Sequence, residues 1–317
     1  MSRELKVAGL TVAPGHRAAH AQRLNLAGHE IELPVFLING KHDGPTLVVT
    51  AGVHGAEYAG IAAALHLGQT LQPATLHGQA IVVPIVNVPA FWARSIYVCP
   101  LDGKNLNRVF PGRPDGTASE QLAYWLFENV MRQANYFVDL HGGDLIEDLQ
   151  PYANYYVSGN QVADDKSREM AMRYGIPIAK PAGSKGSAYI CAANIGIPSI
   201  LVESGGQGLW PPEAVARHTN GLARIMGYLH MIEGPEPAEM PVRLFSASAG
   251  AHSEQDGFYY PKIKPGDKVR KRQDLGTITD FEGRILQSVT APIDGEVMYV
   301  VSSLAINKGD PLVSIGA

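Results

Sequence analysis

A histidine and a glutamate stand three residues apart just after a β-branched run. Thr46-Leu-Val-Val-Thr-Ala51 leads into Gly52-Val-His54-Gly-Ala-Glu57. At a strand-to-helix junction that spacing turns both side chains to one side of the helix start. An imidazole nitrogen and a carboxylate oxygen are donor types of a catalytic zinc, which takes three protein ligands and keeps a fourth position open. A second strand end supplies a third donor in Asp139-Leu-His141-Gly-Gly143. A His-x-x-Glu pair by itself is more often a helix cap than a metal site; the lone His141 after a second strand is what turns the reading toward zinc. Asp139 has two uses open to it, orienting a ligand from behind or capping a turn.

Hydrolysis at such a metal needs a group that takes a proton from water and hands it to a leaving amine, the chemistry of amide cleavage. Glu203 fits. It ends Pro198-Ser-Ile-Leu-Val-Glu203 and precedes Ser204-Gly205-Gly206, and strand C-termini of an α/β sheet face the ligand crevice. Asn105-Leu-Asn107-Arg108-Val-Phe110-Pro-Gly112 is the other dense motif. The Arg108 guanidinium is a two-pronged clamp for a substrate anion, and Asn107 adds a neutral hydrogen bond. Arg94 is a weaker candidate, for stabilising an oxyanion. His16, His20, His29, His42, His66, His77, His218, His230 and His252 lack partners at ligand spacing and read as surface or core residues.

The elements that must carry these residues follow from apolar patterning. Residues 46–51, 80–86, 136–140 and 198–203 are near-continuous apolar runs, as in strands covered on both faces. Residues 57–71, 119–133, 162–174 and 211–232 carry helical periodicity, the last opened by proline and followed by Gly234. Strand–helix alternation predicts an α/β domain over residues 1–232, with helices packed on a parallel or mixed sheet. Residues 233–241, rich in proline and glutamate, read as a linker. Residues 242–317 have no helical period and are punctuated by turns at Pro265-Gly-Asp267, Ile293-Asp-Gly295 and Lys308-Gly-Asp310, which predicts a small β-barrel or sandwich. Its pattern is similar to a biotinyl/lipoyl barrel, but the expected hairpin tip, Asp280-Phe-Glu-Gly-Arg284, has no lysine to modify.

With 317 residues, 45% hydrophobic and 18% charged, the chain can bury a large core. A formal net charge of −4 provides no field to gather nucleic acid or anionic lipid. Two cysteines are too few for a disulfide framework. The N-terminal residues lack the apolar stretch of a signal peptide, and no run is long enough to span a bilayer. The expectation is a cytoplasmic protein.

The motifs Gly52-Val-His54-Gly-Ala-Glu57, Asn105-Leu-Asn107-Arg108, Asp139-Leu-His141-Gly-Gly143 and Leu201-Val-Glu203 occur in the order of the succinylglutamate desuccinylase/aspartoacylase family, which is related in fold to the zinc carboxypeptidases. The chain looks nearest to the longer bacterial branch that includes deacetylases of N-acetyl-diaminobutyrate. The resemblance implies a carboxypeptidase-like mixed sheet with helices on both faces, and one zinc ion per chain held by His54, Glu57 and His141. It implies that Glu203 is the base, that Asn107 and Arg108 hold the substrate, and that Arg94 is the oxyanion arginine. Asn105 stands where the family's usual motif has aspartate. A tail tyrosine reaches the site in some relatives, and Tyr259 and Tyr260 are the counterparts considered. The partner is then a small N-acylated molecule, with neither nucleic acid nor membrane, and a homo-oligomer is left open. The competing reading is a zinc carboxypeptidase-like metallopeptidase acting on short peptides, although the tail would narrow the open groove that a peptidase needs. A third reading makes the tail a carrier or interaction module.

Overall fold

The computed structural model describes residues 4–181, 183–234 and 240–317. The middle of the expected linker, 235–239, lies outside the described residues. A nine-stranded mixed sheet organises the first part of the chain. Its spatial order is Arg243–Leu244, Ile178–Pro181, Tyr152–Tyr155, Ser199–Glu203, Tyr136–His141, His42–Ala51, His77–Val83, His29–Asn39, His16–Leu26. The central four, Ser199–Glu203 to His77–Val83, run parallel. Antiparallel neighbours join on either side.

Alternate residues of the central strands enter two separate cores. Val48, Ile81, Val83, Phe137 and Leu201 pack with the helices Ala118–Asn129 and Ala188–Asn194 on one face. Leu47, Val49, Val82, Val138, Leu140, Ile200 and Val202 pack with Tyr58–Thr70, Gln161–Arg173 and Pro212–Tyr228 on the other. Period-two side-chain direction with both faces covered is why these strands read as unbroken apolar runs. The expected strand 80–86 stops at Val83; Asn87 then caps the short helix Val88–Ala93 by accepting from Ala90 N. The expected helix 119–133 ends at Asn129, with a 3₁₀ turn at Met131–Gln133.

The tail forms two antiparallel sheets. One joins Ser248–His252, Pro311–Gly316, Gly295–Val301 and Lys268–Val269; the other joins Ile285–Thr290, Asp274–Thr279, Gly257–Pro261 and Ala305–Ile306. Leu275, Ile278, Val297, Leu312 and Ile315 fill the core between them. Two short strands stitch the sheets together across the chain. Arg243–Leu244 adds to the edge of the large sheet beside Ile178–Pro181, and Glu147–Leu149 pairs with Gly295–Val301 of the tail. The tail is thereby seated next to the C-terminal ends of the central strands. No helix among the described residues is long and apolar enough to cross a membrane.

Candidate active site

The strand His42–Ala51 ends in a tight turn at Gly52, and the chain then enters the helix Tyr58–Thr70 with Glu57 at its N-cap. Gly55 makes this turn possible: a Cβ there would lie 2.2 Å from backbone atoms of Ala90 and Phe91. Next in the sheet, Tyr136–His141 carries Asp139 and His141 on one face, and Ser199–Glu203 places Glu203 directly beside His141 in register. Four of the expected site residues thus meet because three parallel strands end at one level.

Their donor atoms converge. His54 Nδ1 lies 2.6 Å from Glu57 Oε1, and His141 Nδ1 lies 2.8 Å from Glu57 Oε2. One atom from each residue falls within a 4.8 Å cluster. The opposite ring nitrogens fix the tautomers. Asp139 can only accept, so His141 Nε2 donates to its Oδ2 at 3.0 Å. Asn105 Oδ1 already accepts from Asn107 N, so His54 Nε2 donates to it as well, at 3.1 Å. With both imidazoles neutral, as metal ligands are, each turns an Nδ1 lone pair toward the Glu57 carboxylate. Three acceptors facing one another in a buried space are unfavourable unless a cation sits among them. Glu57 Oε2, buried and without a hydrogen bond of good geometry, marks the same demand. The donor set fits a metal ion.

Without a metal, protons on the imidazoles meet the same demand for positive charge. Burial alone would lower the pKa of His54 and of His141, but the Glu57 carboxylate more than offsets it and holds both above the ordinary imidazole range. Burial alone would raise Glu57, yet His141 and His54 pull it down to about 2. The site attracts positive charge. Behind it, Asp139 is fully buried and is satisfied by His141 and by Thr50 Oγ1, which donates at 2.6 Å. His218, fully buried, contacts the backbone carbonyl of His141 at 3.0 Å.

Glu203 occupies the next position. Burial, then the like charge of Glu57, pushes its carboxyl well above the usual carboxylate range, against an opposing pull from His141. Its Oε2 is buried and lacks a hydrogen-bond partner. Arg108 sits in the 3₁₀ turn Leu106–Arg108, close enough to Tyr189 to interact with it, and one guanidinium nitrogen donates to the Asn107 carbonyl. Asn107 is buried, and its side-chain oxygen accepts from Ala188 N at the start of the helix Ala188–Asn194.

Arg94 donates from its guanidinium to the Trp92 carbonyl. It is exposed at the C-cap of Val88–Ala93, and its side chain lines a surface pocket with Tyr58, Phe91, Trp92 and Trp210. Tyr259 is buried in the tail core and Tyr260 is exposed. The tail tyrosine that approaches is Tyr299, whose phenol neighbours Glu147 and Tyr97.

These last residues form a wall that the motifs did not disclose. Tyr97 donates to Glu147 Oε1 at 2.9 Å, and its backbone N–H donates to Asp144 Oδ2. Its ring stands edge-on to His54. Burial raises Glu147 to about 7. Glu147 is wedged between Gly143 and Gly206, the glycines that follow the His141 and Glu203 strands. The available signal was Asp144 and Glu147 themselves, two acids just after the His-Gly-Gly turn.

A catalytic-domain model for succinylglutamate desuccinylase/aspartoacylase matches residues 43–229. The chain belongs to that family and is a hydrolase of linear amides. It is 28% identical over 298 residues to N-alpha-acetyl-L-2,4-diaminobutyric acid deacetylase from Halomonas elongata, covering 90% of this chain and 85% of that protein. Among solved structures, it is similar to the product-bound ectoine utilization protein EutE (DoeB) from Ruegeria pomeroyi, with TM-score 0.88, 25% identity and 95% of each chain covered. It is also similar to a succinylglutamate desuccinylase/aspartoacylase from Rhodobacter sphaeroides, with TM-score 0.87, 27% identity and 98% of each covered.

Proposed function

We propose that the chain is a zinc-dependent deacylase of small N-acylated amino acids, with His54, Glu57 and His141 as the metal ligands and Glu203 as the general base. The observation that carries this reading is the convergence of three lone-pair donors within 4.8 Å, with Glu203 Oε2, buried and without a hydrogen bond, one strand away. Zinc held there would polarise the scissile carbonyl and acidify water. Glu203 Oε2 takes the proton as the water oxygen bonds to the amide carbon. It then delivers that proton to the amine nitrogen as the C–N bond breaks, leaving a carboxylic acid and a free amine. Asp139 and Asn105 hold the two imidazoles in the tautomers the ligands need. Arg108 is the proposed clamp for the substrate's anionic group, and Asn107 keeps that turn locked onto the helix Ala188–Asn194. The relative from Halomonas elongata directs attention to N-acetylated diamino acids as first substrates.

The test is amine release from N-acetyl, N-succinyl and N-formyl amino acids and diamines, and from short peptides, with added zinc and with chelator. Zinc-dependent release from the acyl amino acids is expected. Preference for peptides would replace this reading by the peptidase one, and release undiminished by chelator would remove the metal from it.

A further inference from the structure

The reaction proposed above uses Glu203 and leaves two neighbours on its face of the sheet without a role. In register, Glu203 stands beside Tyr152, Leu201 beside Asn154, and Asn154 beside Lys180. Residues two apart on a strand share a face. Ala153, Ala179 and Val202, the intervening positions, enter the opposite core. Lys180 and Asn154 therefore stand on the Glu203 side of the sheet, one pleat back from the proposed base.

Neither Lys180 Nζ nor Asn154 Oδ1 has a hydrogen-bond partner among the described residues. The Lys180 ammonium lies over the Tyr152 ring, 4.3 Å from its centroid, and among the described residues no hydrogen-bond acceptor or carboxylate partner within ion-pair distance meets it. Asn154 is 9% exposed, and its Oδ1 is buried without a donor. Beyond that ring the Lys180 ammonium feels the Glu203 carboxylate at longer range, and a largely desolvated cation without a direct contact to an opposite charge gains from an anion that arrives with the ligand. An amide beside it can present its NH₂ group to the same anion after a half-turn. Arg108 interacts with Tyr189 and donates to the Asn107 carbonyl, so Lys180 is a second cation, available for a separate contact.

We propose that Lys180, with Asn154 beside it, forms a subsite for a carboxylate of the substrate and sets the enzyme's preference for anionic N-acyl compounds. This rests on the deacylase reading and adds to it a specificity-determining residue. The carboxylate comes either from the amino-acid half or from a dicarboxylic acyl half.

The experiment compares wild type with Lys180→Met and Lys180→Arg on three substrates: an N-acetyl amino acid, an N-succinyl alkylamine and an N-acetyl alkylamine without any carboxylate. Because the ammonium also lowers the Glu203 carboxyl, the assays are run on the upper plateau of each protein's pH profile. There, for Lys180→Met, KM on the carboxylate substrate is expected to rise tenfold to a hundredfold with kcat within about threefold. The ratio of its kcat/KM to that of the neutral amide is expected to fall at least tenfold, and Lys180→Arg should recover most of it. A fall confined to the N-acetyl amino acid places the anion in the amine half; one confined to the N-succinyl amine places it in the acyl half. Asn154→Asp, which sets a negative charge beside the ammonium, should raise KM for the same substrate and serves if Lys180→Met does not fold. Unchanged selectivity in folded Lys180→Met, or in Asn154→Asp where it must serve, overturns the subsite while leaving the deacylase reading intact. A wild-type enzyme that cleaves none of the three amides overturns both.

Discussion

Glu203 and His141 are register partners on adjacent parallel strands, so the proposed base and one proposed ligand stand side by side at the same level of the sheet. Glu203→Gln keeps the shape and the neighbouring strand but removes the proton acceptor. We expect kcat to fall by roughly 10² to 10⁴, the usual contribution of a positioned acid–base group, with zinc content per chain unchanged by elemental analysis. Full activity in this variant would end the assignment. Because burial and Glu57 raise the Glu203 carboxyl, and only its deprotonated form accepts a proton, kcat/KM of the wild type should climb with pH through an inflection above the ordinary carboxylate value. A flat profile from pH 4.5 to 8 would place the base elsewhere.

Asp139 is expected to act through His141. Replacing it with Asn leaves a side chain that can donate toward His141 Nε2 and thereby favour the wrong tautomer. Loss of such a partner typically weakens metal binding by about 10- to 100-fold. A competition titration against a coloured chelator reads this directly, and an affinity equal to wild type would reduce Asp139 to a strand-end carboxylate.

The parallel centre of the sheet was legible because strands such as 46–51 and 136–140 are covered on both faces and so read as continuous apolar runs. His16–Leu26 and His29–Asn39 escaped the reading: the first is largely exposed, and the second alternates buried and exposed residues in its first half. In the site, His54, Glu57, His141 and Glu203 stood out because each follows or ends a strand with glycines nearby. Lys180, Asn154 and Tyr299 carried no local signal. Lys180 and Asn154 owe their relation to Glu203 to strand register, and Tyr299 owes its place to the pairing of Glu147–Leu149 with the tail. The tail tyrosines considered from sequence, Tyr259 and Tyr260, lie in the tail core and on its surface, since strand Gly257–Pro261 belongs to the sheet that does not pair with Glu147–Leu149.

Metal binding should also be a stability effect. The three donors are brought together only in the folded protein, and an ion that binds only the folded state stabilises it by mass action. Free zinc at a hundred times its dissociation constant should add about 2.7 kcal/mol, read as a rise in melting temperature that chelator reverses. Glu57→Gln should abolish most of the rise. A melting temperature indifferent to zinc would contradict the ligand assignment.

His218 offers a test of the packing behind the site. Burial lowers its pKa to about 4, so it is neutral in the folded protein while in the unfolded chain it titrates near 6.5. Between those values the unfolded chain holds a proton that the native state does not. Stability is therefore lost as pH falls from 6.5 to 4, and levels off once both states are protonated. The loss amounts to about 3 kcal/mol, at roughly 1.4 kcal/mol per pH unit. His218→Gln can still donate to the His141 carbonyl but does not titrate. Denaturant melts of the two proteins across this window should show a shallower acid decline in the variant by about that amount, whatever constant offset the substitution introduces. Parallel declines would mean that His218 is protonated in the native state, and that its contact with His141 is a charged one.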